Sequence, residues 1–330
     1  MAKFKVYILD DVFPSYEREL KVLAEVGAEA VNLKQPAPDA ELVSACRDAD
    51  ALMVNRPFNI ISRQLIFGLP KLKVISVYGI GTDGIDLAAA TERKIPVANL
   101  PGFCAEDVSE QAIMLLLAAS RKLIEQNNKV KSREVGWTQQ PFKPIYRLAG
   151  KTLGLIGLGS IGRAMARKAQ GLGMKVICYD PYLPPAVAAE LNVELVSLED
   201  AFRRSDHVSI HVGLTPETTG MIDARLLRLM KPTSTLVNTS RGKIVNQDDL
   251  VRALKEGWIG AAGLDVVRED PPSEETYQTL IALPNVVITP HSAWYTEESV
   301  AILQTDTARN VALVLAGGRP MNTVNKQIYA

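Results

Sequence analysis

The chain has 330 residues, which is enough for two domains of ordinary size. Apolar residues make up 47% of the sequence, charged residues make up 22%, and the formal net charge is zero. This balance provides no basic field for nucleic acid or an anionic membrane. The apolar stretch 112–119 is too short to span a bilayer, and the first residues lack the apolar core of a signal peptide. Three widely separated cysteines lack the spacing of a zinc site, so we predict a reduced, cytoplasmic protein without a bound metal.

The first hundred residues alternate between predicted strands and predicted helices. Strands are predicted at 4–9, 28–33, 51–54, 72–77 and 97–100, and helices at 15–25, 39–47, 62–67 and 86–93. Alternation at this spacing indicates a parallel sheet covered by helices. After Pro101 and Gly102, one helix is predicted from 106 to about 131, because this stretch keeps a helical period and contains no proline or glycine. A helix of that length usually crosses between domains or packs on a partner subunit.

A second series begins after the loop 134–149. The apolar run 152–156 is typical of a buried parallel strand. Gly157, Gly159 and Gly162 follow with the spacing G-x-G-x-x-G, which permits a tight turn, close approach of the backbone to a pyrophosphate, and close packing of helix on strand. Such a turn alone is often no more than a tight turn. Here a helix at 161–172, a strand at 175–179 and an acidic residue complete the dinucleotide-binding pattern in the correct order.

This pattern predicts the cofactor and its contacts. The amides at the start of the helix, including those of Ser160 and Ile161, would face the phosphates. Asp180 would accept hydrogen bonds from the ribose hydroxyls and would repel a 2′-phosphate, and no arginine follows it. The predicted cofactor is therefore NAD rather than NADP.

The second series continues with further strands and helices. Strands are predicted at 193–196, 207–211, 235–238, 260–266 and 286–289, and helices at 198–204 and 248–256. A last helix, 297–316, lies outside this series, so we expect the chain to return there to the first domain.

Ligands of open α/β sheets bind beyond the carboxyl ends of the strands, so polar residues at these positions are candidates. Hydride transfer to a 2-oxo acid needs a cation for the carboxylate, a proton donor that titrates near neutral pH, and a carboxylate behind that donor. Arg241, His291 and Asp270 could supply these groups in turn. A solvated arginine, a loop histidine and a turn-forming aspartate are equally compatible with the spacing alone.

Three segments resemble the signature segments of the D-isomer-specific 2-hydroxyacid dehydrogenases. They are NTSRG with Arg241, GLDVVREDP with Asp270, and TPHSAW with His291. The segments YGIGTDGIDLAAA, GLGSIG and HVGLTPET extend the resemblance over essentially the whole chain. The resemblance implies an α/β fold of two Rossmann-like domains. Residues 1–101 and 291–330 would form a flavodoxin-like substrate domain, and residues 102–290 would form a doubly wound NAD-binding domain.

The resemblance also implies an activity and the residues that perform it. The activity is the reversible, NAD-dependent reduction of a 2-oxo acid to a D-2-hydroxy acid by a homodimer formed largely through the cofactor domain. Arg241 would clamp the carboxylate, which would also accept from the backbone amides of Tyr78, Gly79 and Ile80. His291 would be the acid–base residue. The implied cofactor contacts are His211, Thr239, Ser240 and Asp265, the last beside the nicotinamide carboxamide.

A narrower resemblance is to the C-terminal binding proteins, which are transcriptional co-repressors that kept a dehydrogenase fold. It rests on YDPYL, on Gly213 in HVGL, and on Trp294 in HSAWY. By this resemblance Trp294 would line the substrate pocket and favour an apolar or thioether tail; ordinary packing at a domain edge is the alternative. The alternative function is an NAD(H)-sensing scaffold with little turnover. A short phosphoglycerate dehydrogenase is a third possibility.

One position departs from the family pattern. The family has glutamate directly before the proline, whereas this chain has Asp270 there and Glu269 beside it. Aspartate is shorter by one methylene, about 1.5 Å of reach. Compensation by the backbone, replacement by Glu269 and a weakened pair are all possible, and we predict that Asp270 takes the role.

Overall fold

The structure, a computed structural model, describes residues 3–9, 12–33, 38–55 and 61–330. The chain divides into two compact units, Met1–Phe103 with Thr296–Ala330 and Cys104–Tyr295. The sequence predicts boundaries at 101/102 and 290/291, whereas the contacts within the structure divide the chain at 103/104 and 295/296. The second boundary moves because the amides of His291, Ser292 and Ala293 all donate to Asp265 of the second unit. Within the described ranges, no helix is both long and apolar enough to cross a bilayer.

The first unit is a helix-covered parallel sheet. Its strands are β1 Phe4–Leu9, β2 Ala28–Asn32, β3 Ala51–Val54, β4 Val74–Val77 and β5 Val97–Ala98, and its helices are α1 Glu17–Ala24, α2 Asp39–Ala45, α3 Arg63–Gly68 and α4 Leu87–Glu92. In the described residues the strand order is β2-β1-β3-β4-β5 and every pairing is parallel. This order is that of flavodoxin-like folds. Asp86 caps α4 by accepting from the amide of Ala89, as its position in the sequence predicts.

The second unit is a larger sheet of the same kind. Its strands are β6 Thr152–Ile156, β7 Lys175–Tyr179, β8 Glu194–Leu195, β9 His207–Ile210, β10 Thr235–Asn238, β11 Ala261–Leu264 and β12 Val286–Ile288. Its helices are α5 Ala105–Ser120, α6 Leu123–Lys131, α7 Ser160–Gly171, α8 Pro185–Glu190, α9 Leu198–Arg203, α10 Ala224–Leu227, α11 Gln247–Lys255 and α12 Glu274–Thr276, which a π-helical turn, Tyr277–Ile281, follows. Among the described residues the strand order is β12-β11-β10-β9-β6-β7-β8, the doubly wound dinucleotide-binding order with one added strand. The predicted fold class is confirmed.

The single helix predicted from 106 to about 131 is wrong. It is two helices, α5 and α6, separated at Arg121 and Lys122, because Lys122 has a left-handed φ of +55° that ends the first helix. Left-handed backbone at a lysine is uncommon, so the sequence carries no signal for the break. The two helices also differ in packing: α5 buries seven of its residues, whereas none of α6 is buried.

The last helix, α13 Glu297–Leu315, belongs to the first unit. It begins with a capping box in which Thr296 and Ser299 each accept from the other's backbone amide. Ser76 of β4 donates from its hydroxyl to the carbonyl of Thr307 at 3.0 Å, which attaches the helix to the sheet. The last helix thus lies in the same unit as the first hundred residues, where the sequence predicts that the chain returns.

Candidate active site

The turn between β6 and α7 carries the three glycines of the motif. Gly157 has a φ of +96°, and a Cβ there would lie 3.0 Å from the carbonyl of His211. A Cβ on Gly162 would lie 2.3 Å from the carbonyl oxygen of Gly157, so the helix can approach the turn this closely only with glycine. Beside Gly159, in contrast, no described heavy atom outside its own chain neighbours lies within 4 Å of where a Cβ would be. The turn is therefore closely packed at Gly157 and Gly162 and leaves open space beside Gly159.

Asp180 ends β7 beside this turn. One oxygen, Oδ2, accepts from the amide of Leu158 at 2.9 Å, and the other accepts from the amide of Tyr182 at 3.1 Å. The side chain is only partly buried. These two amides fix the orientation of a carboxylate that stays accessible at the edge of the turn.

His211, Thr239 and Ser240 follow β9 and β10, at the same edge of the sheet as the turn. The Ser240 hydroxyl donates to the carbonyl of Val212 and joins the two loops. His211 Nε2 lies 2.9 Å from the hydroxyl of Ser209, and burial lowers the pKa of His211 to about 4, so its ring is neutral at physiological pH. Thr239 is buried, and within the described ranges its hydroxyl has no hydrogen-bond partner. An unpaired buried hydroxyl is available to a ligand.

Arg241 is held by its neighbours on the loop after β10. The side chain of Asn238 accepts from the amide of Ser240 and donates to the carbonyl of Arg241, both at 3.0 Å. The guanidinium of Arg241 donates from Nη1 to the carbonyl of Ser240 at 2.9 Å. Burial lowers the pKa of Arg241, and the Asp270 carboxylate acts in the opposite direction. An arginine in this setting remains charged and suits a planar anion.

Asp270 and His291 form a hydrogen-bonded pair. Asp270 Oδ2 lies 2.5 Å from His291 Nδ1, and both side chains are partly exposed. A carboxylate only accepts, so Nδ1 is the donor of this bond and Nε2 faces away from it. Glu269, the other candidate, instead accepts from Arg268 Nε at 2.7 Å and from the Thr276 hydroxyl at 2.8 Å. The second unit thus brings together Arg241, Asp270 and His291.

Asp265 is hydrogen-bonded to the loop that carries His291, and its place beside the nicotinamide carboxamide stays a prediction. It is buried, its Oδ1 accepts from the hydroxyl of Thr289 and the amide of Ser292, and its Oδ2 accepts from the amide of Ala293. Its carbonyl accepts from the amide of His291 at 2.9 Å. His291 itself has a left-handed φ of +53°, which these bonds support. These hydrogen bonds attach Asp265 to the loop that presents His291.

The turn 78–80 of the first unit has fewer available amides than predicted. The amide of Tyr78 donates to the carbonyl of Val54 and that of Gly79 to the carbonyl of Val77, both at 2.9 Å. Both amides are thus hydrogen-bonded to backbone carbonyls at the edge of the sheet. This corrects the prediction that all three backbone amides of the turn bind a ligand. In the part of the chain that the structure describes, the amide of Ile80 donates no hydrogen bond, and neither does that of Gly81.

Two side chains support this turn from either side. The Tyr78 hydroxyl donates to the buried carboxylate of Glu19 at 3.0 Å, and the amide of Asn99 donates to the carbonyl of Ile80 at 2.7 Å. Asn322 in turn donates to Asn99 Oδ1 at 2.5 Å. The Tyr78 hydroxyl and the Ile80 carbonyl are therefore both hydrogen-bonded. These two bonds fix the orientation of the free backbone amides of Ile80 and Gly81.

Comparison with protein families identifies the chain. Residues 113–293, more than half of the 330, match the family model described as the D-isomer specific 2-hydroxyacid dehydrogenase, NAD binding domain. The chain belongs to this family. It is an NAD-dependent D-2-hydroxyacid dehydrogenase.

Relatives of this dehydrogenase carry two different activities in their names. It is 41% identical to the glyoxylate reductase of Thermococcus litoralis over 88% of each chain. It is 39% identical to the D-3-phosphoglycerate dehydrogenase of Methanocaldococcus jannaschii over 97% of its own length, but it spans only 59% of that protein. The NAD-complexed D-isomer specific 2-hydroxyacid dehydrogenase of Lactobacillus delbrueckii ssp. bulgaricus superposes with a TM-score of 0.81 at 26% identity, covering 97% of this chain and 100% of that one.

The cofactor of the dehydrogenase is NAD, and the residues at the glycine turn fit it. The open space beside Gly159 and the N-terminus of α7 suit a pyrophosphate. The Asp180 carboxylate suits a ribose diol, and the unpaired hydroxyl of buried Thr239 suits a further polar group of the cofactor.

Several supporting residues of the dehydrogenase are absent from the sequence prediction. A motif search finds chemical groups at strand ends, but it gives no signal for the side chains behind them. The missed residues are Glu19, Gly81, Asn99, Asn238, Gln247 and Thr276. Two of these residues have a usable signal in the sequence: Asn238 stands within NTSRG at the end of a buried strand, and Gly81 stands within YGIGTDGIDLAAA.

Proposed function

We propose that this dehydrogenase reduces a small 2-oxo acid, with Arg241 as the carboxylate clamp, His291 as the proton donor and Asp270 as the orienting carboxylate. The observation that carries the proposal is the 2.5 Å contact between Asp270 and His291 in the unit that also holds Arg241. We further propose that the second unit, Cys104–Tyr295, is the cofactor domain and the first unit is the substrate domain.

The chemistry of these groups fits one step. When bound, reduced NAD supplies a hydride to C2 of the 2-oxo acid. Negative charge then develops on the former carbonyl oxygen, and protonated His291 donates from Nε2 to that oxygen. Asp270 holds Nδ1, so the ring keeps Nε2 directed at the substrate and the resulting charge is stabilised. Oxidation of the hydroxy acid is the reverse, with neutral His291 accepting the proton.

Arg241 is the proposed clamp for the substrate carboxylate in the second unit. Arg241 can form two parallel hydrogen bonds to the carboxylate, a geometry that lysine cannot reproduce. In the first unit, the backbone amides of Ile80 and Gly81 donate no hydrogen bond within the described residues, and Glu19 and Asn99 hold the turn that carries them.

The tail of the substrate, that is, the side chain of the 2-oxo acid, distinguishes the activities for which the relatives are named. Trp294 is partly buried, and the centroid of its ring lies 5.6 Å from that of Tyr295 in an edge-to-face arrangement. We propose that Trp294 contacts the tail of the substrate and favours apolar or thioether groups. NADH oxidation should be followed with glyoxylate, hydroxypyruvate, a branched 2-oxo acid, a thioether 2-oxo acid and phosphohydroxypyruvate. Activity with at least one is expected; inactivity on all five contradicts the proposal. Trp294→Ala should lower kcat/KM for the thioether acid about tenfold more than for glyoxylate.

A second candidate function is the NAD(H)-sensing scaffold related to C-terminal binding proteins. Gly213 and Trp294, together with YDPYL, favour it. The same assay separates the two functions. A scaffold should bind NADH tightly, measured by its fluorescence, yet consume none of it with any acid of the panel, whereas an enzyme should consume it at many turnovers per minute.

We also propose that the dehydrogenase is a cytoplasmic homodimer joined through a groove on α5–α7. This groove of about 700 Å³ exposes Met114, Leu123 and Leu172. The rest of the lining is apolar, except for one acidic residue, Glu110, and two basic residues, Arg121 and Lys168. A second copy can match such a surface, because a two-fold axis brings each acidic residue towards basic ones. Light scattering should give twice the monomer mass, and Leu123→Asp should halve it; a monomeric wild type would contradict the proposal.

A further inference from the structure

The carboxylate that pairs with His291 belongs to an aspartate, whose side chain is one methylene shorter than that of glutamate. Even so, the distance from Asp270 Oδ2 to His291 Nδ1 is 2.5 Å. The backbone at 268–270 must therefore lie close enough for the shorter side chain to reach the ring. The groups that hold this segment are the subject of the inference.

Gln247, the first residue of α11, holds the start of the segment. Its side chain is buried, its Oε1 accepts from the amide of Arg268 at 3.0 Å, and its Nε2 donates to the hydroxyl of Thr276 at 2.9 Å. Both polar ends of the amide are thus satisfied. A satisfied buried network of this kind restricts its members to one arrangement.

Thr276 carries the connection to the middle of the segment. It is fully buried, and its hydroxyl accepts from Gln247 and donates to Glu269 Oε2 at 2.8 Å. The other carboxylate oxygen of Glu269 accepts from Arg268 Nε at 2.7 Å. Glu269 is thereby directed away from His291, and the next residue in the chain is directed towards it.

We propose that Gln247, Thr276 and Glu269 form a positioning network that holds the backbone of Asp270 close enough for its short side chain to reach His291. The proposal rests on the catalytic roles given to Asp270 and His291 in the proposed function. None of the three residues contacts substrate or cofactor in it. They act through the backbone of residues 268–270.

The principal test is Thr276→Val, which keeps the shape of the side chain but removes the hydroxyl that joins Gln247 to Glu269. We expect kcat to fall about 10- to 100-fold, because a catalytic group displaced by about 1 Å or less loses much of its effect. KM for NADH should change less than about twofold, because the glycine turn is untouched. Asn246→Ala is the matched control: it removes the cap of the same helix, α11, without touching the segment. It should lower Tm comparably and leave kcat unchanged.

Rescue gives the decisive comparison. In the wild-type background, Asp270→Glu should lower kcat, because the segment 268–270 already lies close to His291. In the Thr276→Val background, Asp270→Glu should raise kcat at least threefold, because the longer side chain can restore the contact with His291. Equal effects in both backgrounds would refute the proposal, as would equal losses of kcat in Thr276→Val and Asn246→Ala.

A readout independent of turnover separates this proposal from the proposed function. The Nδ1 proton of His291, in a short hydrogen bond to a carboxylate, should resonate downfield in NMR spectra of the wild type, and the chain has only three histidines to assign. Thr276→Val should move this signal upfield and Asn246→Ala should not. An unmoved signal overturns the network. A moved signal in a protein that reduces none of the 2-oxo acids supports the network and refutes the proposed function alone.

Discussion

A Cβ placed on Gly242 would lie 1.8 Å from the carbonyl oxygen of Val267. The loop that carries Arg241 therefore passes directly against the segment that leads to Asp270. The two charged groups interact, since the Asp270 carboxylate raises the pKa of Arg241 against the effect of burial. Only glycine permits this approach, so the position next to Arg241 determines the spacing between Arg241 and the Asp270–His291 pair.

Gly242→Ala should therefore disable the enzyme more than it unfolds it. The added methyl group must displace backbone on one side of the contact, because no flexible side chain is available to move. A displacement of about 1 Å lowers kcat/KM on the order of 100-fold. Steady-state kinetics with NADH and the best 2-oxo acid measures this loss. Gly171→Ala, at the end of α7 with open space around its Cβ, is the control and should retain full activity.

Removal of either member of the acid–base pair should affect the chemical step. His291→Ala should lower kcat by about 100- to 10,000-fold, the usual contribution of general acid–base catalysis. Asp270→Asn should lower it less than His291→Ala, because the amide can still accept from Nδ1 but no longer stabilises a charged ring. NADH binding, measured by fluorescence titration, should stay within about threefold of wild type in both. Wild-type turnover by His291→Ala would remove the proton-donor role.

The groups of the site were predictable from sequence where chemistry and strand ends coincide. Arg241, Asp270 and His291 each follow a short apolar run, and a parallel sheet brings such positions to one edge. The choice between Asp270 and Glu269 depends on Thr276, seven residues after Glu269, and on Gln247, which is more than 20 residues away and reaches Thr276 only through tertiary packing. No local pattern contains that information.

The errors in secondary structure have a similar origin. Strands were predicted well because buried apolar runs bounded by glycine or polar residues have little choice of conformation. The break at Lys122 was missed because a left-handed lysine has no compositional signature. The short helix α8 was missed because its proline at the first turn reads equally well as part of a loop.

Asp180 should control the choice between NADH and NADPH. Its carboxylate is fixed by the amides of Leu158 and Tyr182, and it would lie near a 2′-phosphate. Asp180→Asn keeps an oxygen for the Leu158 amide but removes the negative charge. The ratio of kcat/KM for NADH to that for NADPH should fall about tenfold, equivalent to about 1.4 kcal/mol of relieved repulsion. Asp180→Glu keeps the charge and should keep the preference; a ratio unaffected by Asp180→Asn would show that the carboxylate does not discriminate.

Stability should fall as the pH drops from 6.5 towards 4, and His207 should account for part of the loss. His207 begins β9, is 7% exposed, and has a pKa lowered by burial to about 4. Its Nδ1 has no partner in the described ranges, so a proton there would add a buried charge without an acceptor. An unfolded histidine titrates near 6.5, so between these values the unfolded chain binds more protons than the folded one, and unfolding is favoured as pH falls.

The contribution of His207 is complete above pH 6.5 and decreases progressively down to about pH 4, by about 2–4 kcal/mol for a shift of this size. Asp206, whose pKa is lowered chiefly by its hydrogen bond to Lys231 despite partial burial, adds a separate loss only at lower pH. Urea denaturation at pH 7.5, 6.0, 5.0 and 4.5 should show the decline. His207→Gln should reduce its slope but leave a remainder from His211, whose pKa burial also lowers to about 4. If the variant and the wild type lost stability in parallel across this range, His207 would already be paired or protonated in the folded state.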